Sequence, residues 1–168
     1  MKKTIKPLLV LLLWLALFMA LTPVLSSFIK NPLRPSDLDL EETNNVVHYY
    51  IDEFSISHEM LTIIYVNGWA FIENDTESLE KEIFLVFAND ANQYEVKMDL
   101  YNREDIKKKL PDLQVPLDRT GFRQNFSTFG MKNGIYRLYM VVNESPTLVG
   151  VIDTGMDYKV RFRSFERK

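Results

Sequence analysis

The chain has no cysteine. Disulfides, thiolate metal centres and cysteine nucleophiles are therefore excluded, and outside a cytoplasm its stability would rest on packing alone. Histidine is nearly as scarce, with His48 and His58 the only two in 168 residues. There is no glycine-rich phosphate loop, no GxSxG, no HExxH and no paired histidine spacing. No catalytic residue, cofactor or metal site can be assigned from motifs. Excess positive charge is missing too: removing Lys2, Lys3 and Lys6 from the 20 basic residues leaves 17 against 23 acidic ones, a net of −6. A body of that sign argues against nucleic acid as the partner.

From Pro7 to Ile29 no side chain is charged, and Lys2, Lys3 and Lys6 precede the run. Its length meets the roughly 20 apolar residues that a bilayer requires, and the lysines would stay in the cytoplasm. Residues 1–29 are therefore expected to form a single-pass anchor in contact with the membrane through residues 7–29, with the rest of the chain outside. A secretory signal peptide is the alternative, because the basic start, the apolar Leu8 to Leu21, Pro23 and the small Ser26 and Ser27 also fit cleavage near Ser26. Residues 30–45 carry Pro32, Pro35, Asp37, Asp39, Glu41 and Glu42 with little to bury, and predict a solvated linker. The acids there lack the glycine and the spacing of a calcium loop.

Residues 46–168 form one domain of β-prone runs separated by turn signals. The central run is Leu61 to Ile72, in which Ile63, Tyr65, Asn67, Trp69 and Phe71 share one face and Ile64, Val66, Gly68, Ala70 and Ile72 the other. Both faces are largely apolar, so the run predicts a covered central strand with Trp69 as its core anchor. Asn67-Gly68 is a hairpin signal, but Glu73 to Glu80 supplies a better turn, and one strand with a bulge or close approach at Gly68 is expected. Ile83 to Ala88 and Gln93 to Tyr101 flank Asn89-Asp90-Ala91-Asn92 as a hairpin with a four-residue loop. Asn102 to Leu110 reads as a short helix crossing between sheets, with Asn102 able to cap it and Pro111 ending it. Further strands are expected at Val46 to Ile56, Gly121 to Thr128, Ile135 to Asn143, Leu148 to Asp153 and Tyr158 to Phe165. About seven strands and one crossover helix predict an all-β, immunoglobulin-like sandwich.

The order of Gly68-Trp69-Ala70, a hairpin, the YNREDIKKKL helix, Gly121-Phe122 and Gly134-Ile135-Tyr136 resembles small immunoglobulin-like accessory domains of Gram-positive cell-envelope proteins and membrane-associated glycosyltransferases. The likeness covers Val46 to Phe165. It implies an accessory module outside the membrane, and it carries over no catalytic motif.

Candidate binding residues come from two patterns. Eight tyrosines are spread over the expected strands, and exposed ones could form a sugar-stacking or protein-binding platform. Tyr136 is in phase with Leu138 and Met140, whereas Tyr139 is in phase with Arg137 and is the candidate of the pair. At the C-terminus, Lys159, Arg161 and Arg163 share one face of the last expected strand. That stripe suits an anionic partner such as wall-polymer phosphate or lipid headgroups, and it equally suits protection of a sheet edge. His48, His58, Asp52, Glu53, Asp90 and Asp99 are ordinary surface or packing residues unless the fold gathers them. The asparagines of Asn-x-Ser/Thr, Asn74, Asn125 and Asn143, are chance matches in a bacterial protein. The expectation is thus a non-catalytic, membrane-anchored extracytoplasmic module that binds an envelope protein or polysaccharide. The alternative is a secreted or tethered hydrolase or transferase subunit whose site is built from scattered carboxylates and histidines.

Overall fold

The computed structural model describes residues 10–19, 33–41, 43–57, 62–73, 81–110, 118–145, 148–161 and 164–168. The chain divides into two units, residues 1–30 and 31–168. In the first, residues 10–19 form helix α1, whose large side chains are apolar and exposed. Among the described residues no helix is long and apolar enough to cross a membrane. The run expected to do so, Pro7 to Ile29, extends past the described residues at both ends.

The second unit is a two-sheet, mostly β structure. Its strands are β1 (Arg34–Pro35), β2 (Val47–Ser57), β3 (Ile63–Ile72), β4 (Glu82–Ala88), β5 (Gln93–Lys97), β6 (Asp99–Tyr101), β7 (Gly121–Ser127), β8 (Gly134–Ser145), β9 (Leu148–Arg161) and β10 (Ser164–Arg167), with helix α2 (Glu104–Lys109) between β6 and β7. Sheet A has the order β1-β5-β4-β8-β9-β10 and sheet B the order β2-β3-β7-β6. Inward side chains at alternate positions fill the space between the sheets: Ile64, Val66, Ala70 and Ile72 from β3, Phe122 and Phe126 from β7, Ile83, Leu85 and Phe87 from β4, Tyr136, Leu138, Met140 and Val142 from β8.

The strand count exceeds the expected seven for local reasons. The run Gln93 to Tyr101 turns a corner at Met98, so β5 lies in sheet A and β6 in sheet B, and Met98 itself is buried. The runs expected separately at Leu148 to Asp153 and Tyr158 to Phe165 are instead joined in β9, which passes through a register slip opposite Leu138/Tyr139 where Thr154 Oγ1 donates to the Leu138 carbonyl at 2.7 Å. The chain then returns as β10, the edge of sheet A. Helix α2 joins two neighbouring strands of the same sheet and is not a crossover. Asn102 does not cap it: the residue before the helix is Arg103, and the Asn102 carboxamide oxygen accepts from the Arg119 amide at 3.0 Å.

The described part of the expected linker, 33–41 and 43–45, is laid on the sandwich. Leu33 enters the core, β1 pairs with β5, Ser36 Oγ donates to Glu95 Oε2 at 2.6 Å, and Leu38 and Leu40 pack on the outer face of sheet A beside Val86, Val141 and Val151. Asn45 Nδ2 then donates to the Val149 carbonyl at 2.7 Å. The hairpin around Asn89 forms as expected, with Ala88 opposite Gln93 and the Asn89 side chain accepting from the amides of Ala91 and Asn92 at 3.0 and 2.8 Å.

At Asn67-Gly68 the chain continues as one strand, and Gly68 is a point of close approach. A β-carbon there would lie 2.3 Å from the Tyr50 carbonyl oxygen and 2.6 Å from the Phe122 ring. The accompanying bulge is on the neighbour, where Asp52 is the extra residue between Ile51 and Glu53 of β2. Trp69 is not the core anchor. With Gly68 and its partners facing inward, Trp69 stands on the outer face, half-buried, stacked on Phe71 with ring centroids 5.8 Å apart and covered by Ile106 and Leu110 from around α2. Because both faces of the run are apolar, periodicity alone could not choose between them.

At one end of the sandwich the two sheets share a buried charge. Lys81 Nζ lies 2.7 Å from Glu144 Oε1, both side chains are wholly inaccessible, and the same oxygen accepts from the Ile72 amide of sheet B at 3.1 Å. Removing one partner strands the other in a medium of low dielectric. Lys81→Met is expected to cost about 3 to 5 kcal/mol in denaturant unfolding, and the double variant Lys81→Met/Glu144→Leu to recover part of it. A single-variant loss below about 1 kcal/mol would show the carboxylate relieved without its lysine.

Candidate functional site

The outer face of sheet B carries the densest set of accessible aromatic and polar groups. In register, Tyr50 of β2 stands opposite Trp69 of β3, Trp69 opposite Gly121 of β7, and Gly121 opposite Tyr101 of β6. Four strands at about 4.8 Å make this row roughly 14 Å long. Tyr50 is 58% exposed. Tyr101 lies over the backbone of Gly121, where a β-carbon would come within 2.9 Å of its ring and 2.6 Å of Arg103 Cγ. Its hydroxyl donates to Asn67 Oδ1 at 2.7 Å, and the Arg123 guanidinium sits 5.4 Å from its ring centroid. Along β3 the stack continues from Trp69 to Phe71 and on to His48, whose ring is 5.1 Å from that of Phe71 and whose Nε2 lies 3.1 Å from Glu73 Oε2.

Arg103 ties the helix end of this face to the bulge. Its Nε and Nη2 donate to both oxygens of Asp105 at 2.7 Å, and its Nη1 donates to Asp52. That fork is bidentate and planar, the geometry in which arginine is most selective. Hydrogen bonding to Asp105, ahead of the opposing desolvation and of Asp52, raises the Arg103 pKa. The hydrogen bond from Arg103 in turn holds the Asp105 carboxyl at about 2. Asp52 and Arg103 are 51 residues apart, so no sequence spacing could join them; alternation alone does place Tyr65, Trp69 and Phe71 on one face, and β2 supplies Tyr50 by the same period.

The residues singled out from sequence fall elsewhere. Tyr139 is half-buried against the cluster of Val86, Val141 and Val151, on which Leu38 and Leu40 also pack, and lies on the outer face of sheet A, away from the row on sheet B. Tyr136 is a core residue whose hydroxyl donates to the Lys132 carbonyl at 2.9 Å. Lys159 and Arg161 lie near the end of β9 and line a shallow depression with Asn133, Gly134 and Ile135. They are not on the edge strand, which is β10. Arg163 and His58 lie outside the described residues.

The acids do not converge. Asp153 and Asp157 hold Arg137 at 3.0 Å each, Glu82 pairs with Lys97, Asp118 with Lys107, and Asp52 with Arg103. Among the described residues no three His, Asp or Glu side chains lie close enough together to hold a metal ion. A cleft between the sheets has a volume of about 290 Å³, and among the described residues its lining, Ile51, Phe54, Ile56, Met156, Tyr158 and Arg167, includes no carboxylate. Phe54 stacks on Tyr158 at 4.8 Å. The chain matches no family model, no curated protein and no solved structure.

Two outcomes follow from these placements. Trp69→Ala is expected to cost about 1.5 to 2.5 kcal/mol in equilibrium unfolding, half of what a fully buried tryptophan costs, and a loss of 4 or more would put the ring in the core. Burial pushes the Tyr158 hydroxyl from 10.0 up to about 12, so its neutral form is the one the fold favours. The stability this gives is complete below pH 10.0 and is lost as pH rises through about 12. Burial raises the Tyr136 hydroxyl as well, so ultraviolet titration should find these two tyrosines ionising late, and Tyr158→Phe should reduce the amplitude of that late step without removing it.

Proposed function

We propose that this chain is a non-catalytic extracytoplasmic binding module of immunoglobulin-like fold, held at the membrane by its N-terminal segment, which takes an envelope polysaccharide on the outer face of sheet B. The fold assignment is supported by strand order. The sequence β2-β3-β7-β6 reproduces the A-B-E-D sheet of immunoglobulin domains, and β5-β4-β8-β9 reproduces C′-C-F-G. Tyr136 at the start of the F-equivalent strand, bonded back to Lys132, repeats the tyrosine corner of such domains.

The observation that carries the binding reading is the row of Tyr50, Trp69 and Tyr101 on a rigid sheet with Asn67, Arg103, Asp52 and Arg123 around it. Flat rings present apolar area to the C–H faces of sugars at little entropic cost, and the surrounding donors and acceptors suit hydroxyl groups. A hydrolytic site would need convergent acids free to act; of the described acids near this row Asp52 and Asp105 are engaged by Arg103, while Glu53, opposite Asn67, and Asp99, opposite Arg123, lie on different strands on either side of it. The apolar run with its preceding lysines supports a location on the outer side of a membrane, either anchored or released after cleavage near Ser26.

Affinity electrophoresis in gels containing purified Gram-positive wall polysaccharide tests the reading. Tyr50→Ala and Tyr101→Ala are each expected to weaken retention about tenfold with the far-ultraviolet spectrum unchanged. Lys159→Gln/Arg161→Gln should migrate like the unmodified protein. Retention that survives in both tyrosine variants overturns the assignment of the face.

A further inference from the structure

The loop between β7 and β8 presents Phe129 to solvent with 81% of its surface exposed. This is not a loose tip. The Phe129 amide donates to Ser127 Oγ at 3.1 Å, the Met131 amide to the Thr128 carbonyl at 3.0 Å, the Thr128 amide to the Thr62 carbonyl at 3.3 Å, and the Lys132 amide to the Tyr94 hydroxyl at 3.2 Å. Gly130 beside it has φ +95°. The turn is thus built, tied to both neighbouring elements, and ends in a bare phenyl ring. A single exposed apolar residue needs no explanation, but this one has a setting.

Where the chain enters β8, Ile135 is 44% exposed, and it stands opposite Lys159 in register. Asn133, Gly134, Ile135, Lys159, Val160 and Arg161 line the shallow depression described above. Lys132, Lys159 and Arg161 therefore collect at the end of the sandwich that carries Phe129. The acids nearest in chain or register are Asp157, two residues before Lys159 and held by Arg137 at 3.0 Å, Glu166, opposite Lys159, and Asp90 in the β4–β5 loop, whose neighbour Asn89 donates to the Ile135 carbonyl at 3.3 Å. With Asp157 already held by Arg137, the three cations face two further acids, in a domain that is acidic as a whole.

We infer that this end of the sandwich docks on an anionic lipid surface, with Phe129 entering the acyl boundary and Lys132, Lys159 and Arg161 meeting headgroup phosphates. A soluble polyphosphate would satisfy the three cations but leave the phenyl ring in water. Only an interface that is charged outside and apolar beneath uses both parts, which is why a bilayer fits better than a wall polymer. The docking end is separate from the polysaccharide face of sheet B, so either assignment can fail without the other.

Residues 31–168 contain every described strand and every buried core residue, and so fold as a unit that lacks the apolar N-terminal run. This unit is to be sedimented with vesicles of equimolar phosphatidylglycerol and phosphatidylcholine, and with phosphatidylcholine alone. Binding is expected on the anionic vesicles only, weakening with salt. Phe129→Ser should lower it about tenfold, and Lys132→Gln/Lys159→Gln/Arg161→Gln should abolish it. Phe129→Trp should show emission quenched by brominated acyl chains. No binding, equal binding on both vesicles, or a Phe129→Ser variant that binds undiminished overturns the inference. If only the glutamine variant loses binding, the end recognises phosphate charge alone and the lipid assignment is wrong. Polysaccharide retention should be unchanged in Phe129→Ser, which keeps the two sites distinguishable.

Discussion

The Glu144 carboxylate is the point at which the two sheets become one structure. It sits on β8 of sheet A, takes the Lys81 ammonium from the approach to β4, and accepts the Ile72 amide from the end of β3 in sheet B. A charge wholly removed from water is costly once a partner is displaced, so this contact ties the relative positions of the three elements together. In a chain with no disulfide this polar contact supplies specificity that apolar packing does not, because aliphatic and aromatic side chains tolerate small slides of sheet over sheet. The remaining closure is steric: Phe87 meets Phe126 at a tilt and Tyr158 and Phe165 edge-on, while Tyr158 and Phe165 stack on each other.

The binding face depends on how β3 resolves its two apolar sides. Gly68 admits the Phe122 ring and the Tyr50 carbonyl on the inner side, and β2 absorbs the misfit through the extra residue Asp52. That bulge turns a carboxylate outward within reach of Arg103. Trp69 and Phe71 are left outside, where α2 covers Phe71 through Ile106 and leaves Trp69 and Tyr50 partly open. A packing solution in the core thus generates the polar and aromatic pattern on the surface.

Much of the domain could be read from the chain. The Asn89 hairpin, the extent of β2, β3, β7 and β8, and the burial of Tyr136 all follow from alternation and from turn chemistry, which are local. What escaped was not local. The corner at Met98 has no break in β-propensity to mark it, since a strand that changes sheets keeps its period. The two strands expected at Leu148 to Asp153 and Tyr158 to Phe165 are joined into β9 through a register slip, which depends on its pairing with β8 and not on local sequence. The pairing of Arg103 with Asp52 depends on the register of β2 against β3, which no spacing reveals. Among the candidate residues, the shared face of Lys159 and Arg161 follows from alternation, whereas the packing of Tyr139 on the cluster that also takes Leu38 and Leu40 does not, because residues 30–45 read as a linker.

That segment has a mechanical consequence. Between Leu33 and Asn45 the chain is fastened by a two-residue strand, by Ser36 on Glu95, by Gln93 on the Leu38 carbonyl, by two leucines on the outside of sheet A, and by the Val151 amide on Thr43. Tension applied at residue 33 therefore draws Leu33 out of the core and then peels a series of weak fasteners one after another before it reaches β2. The domain carries its own shock absorber, about a dozen residues that lengthen under load at the loss of one core side chain while the paired strands of both sheets stay in register.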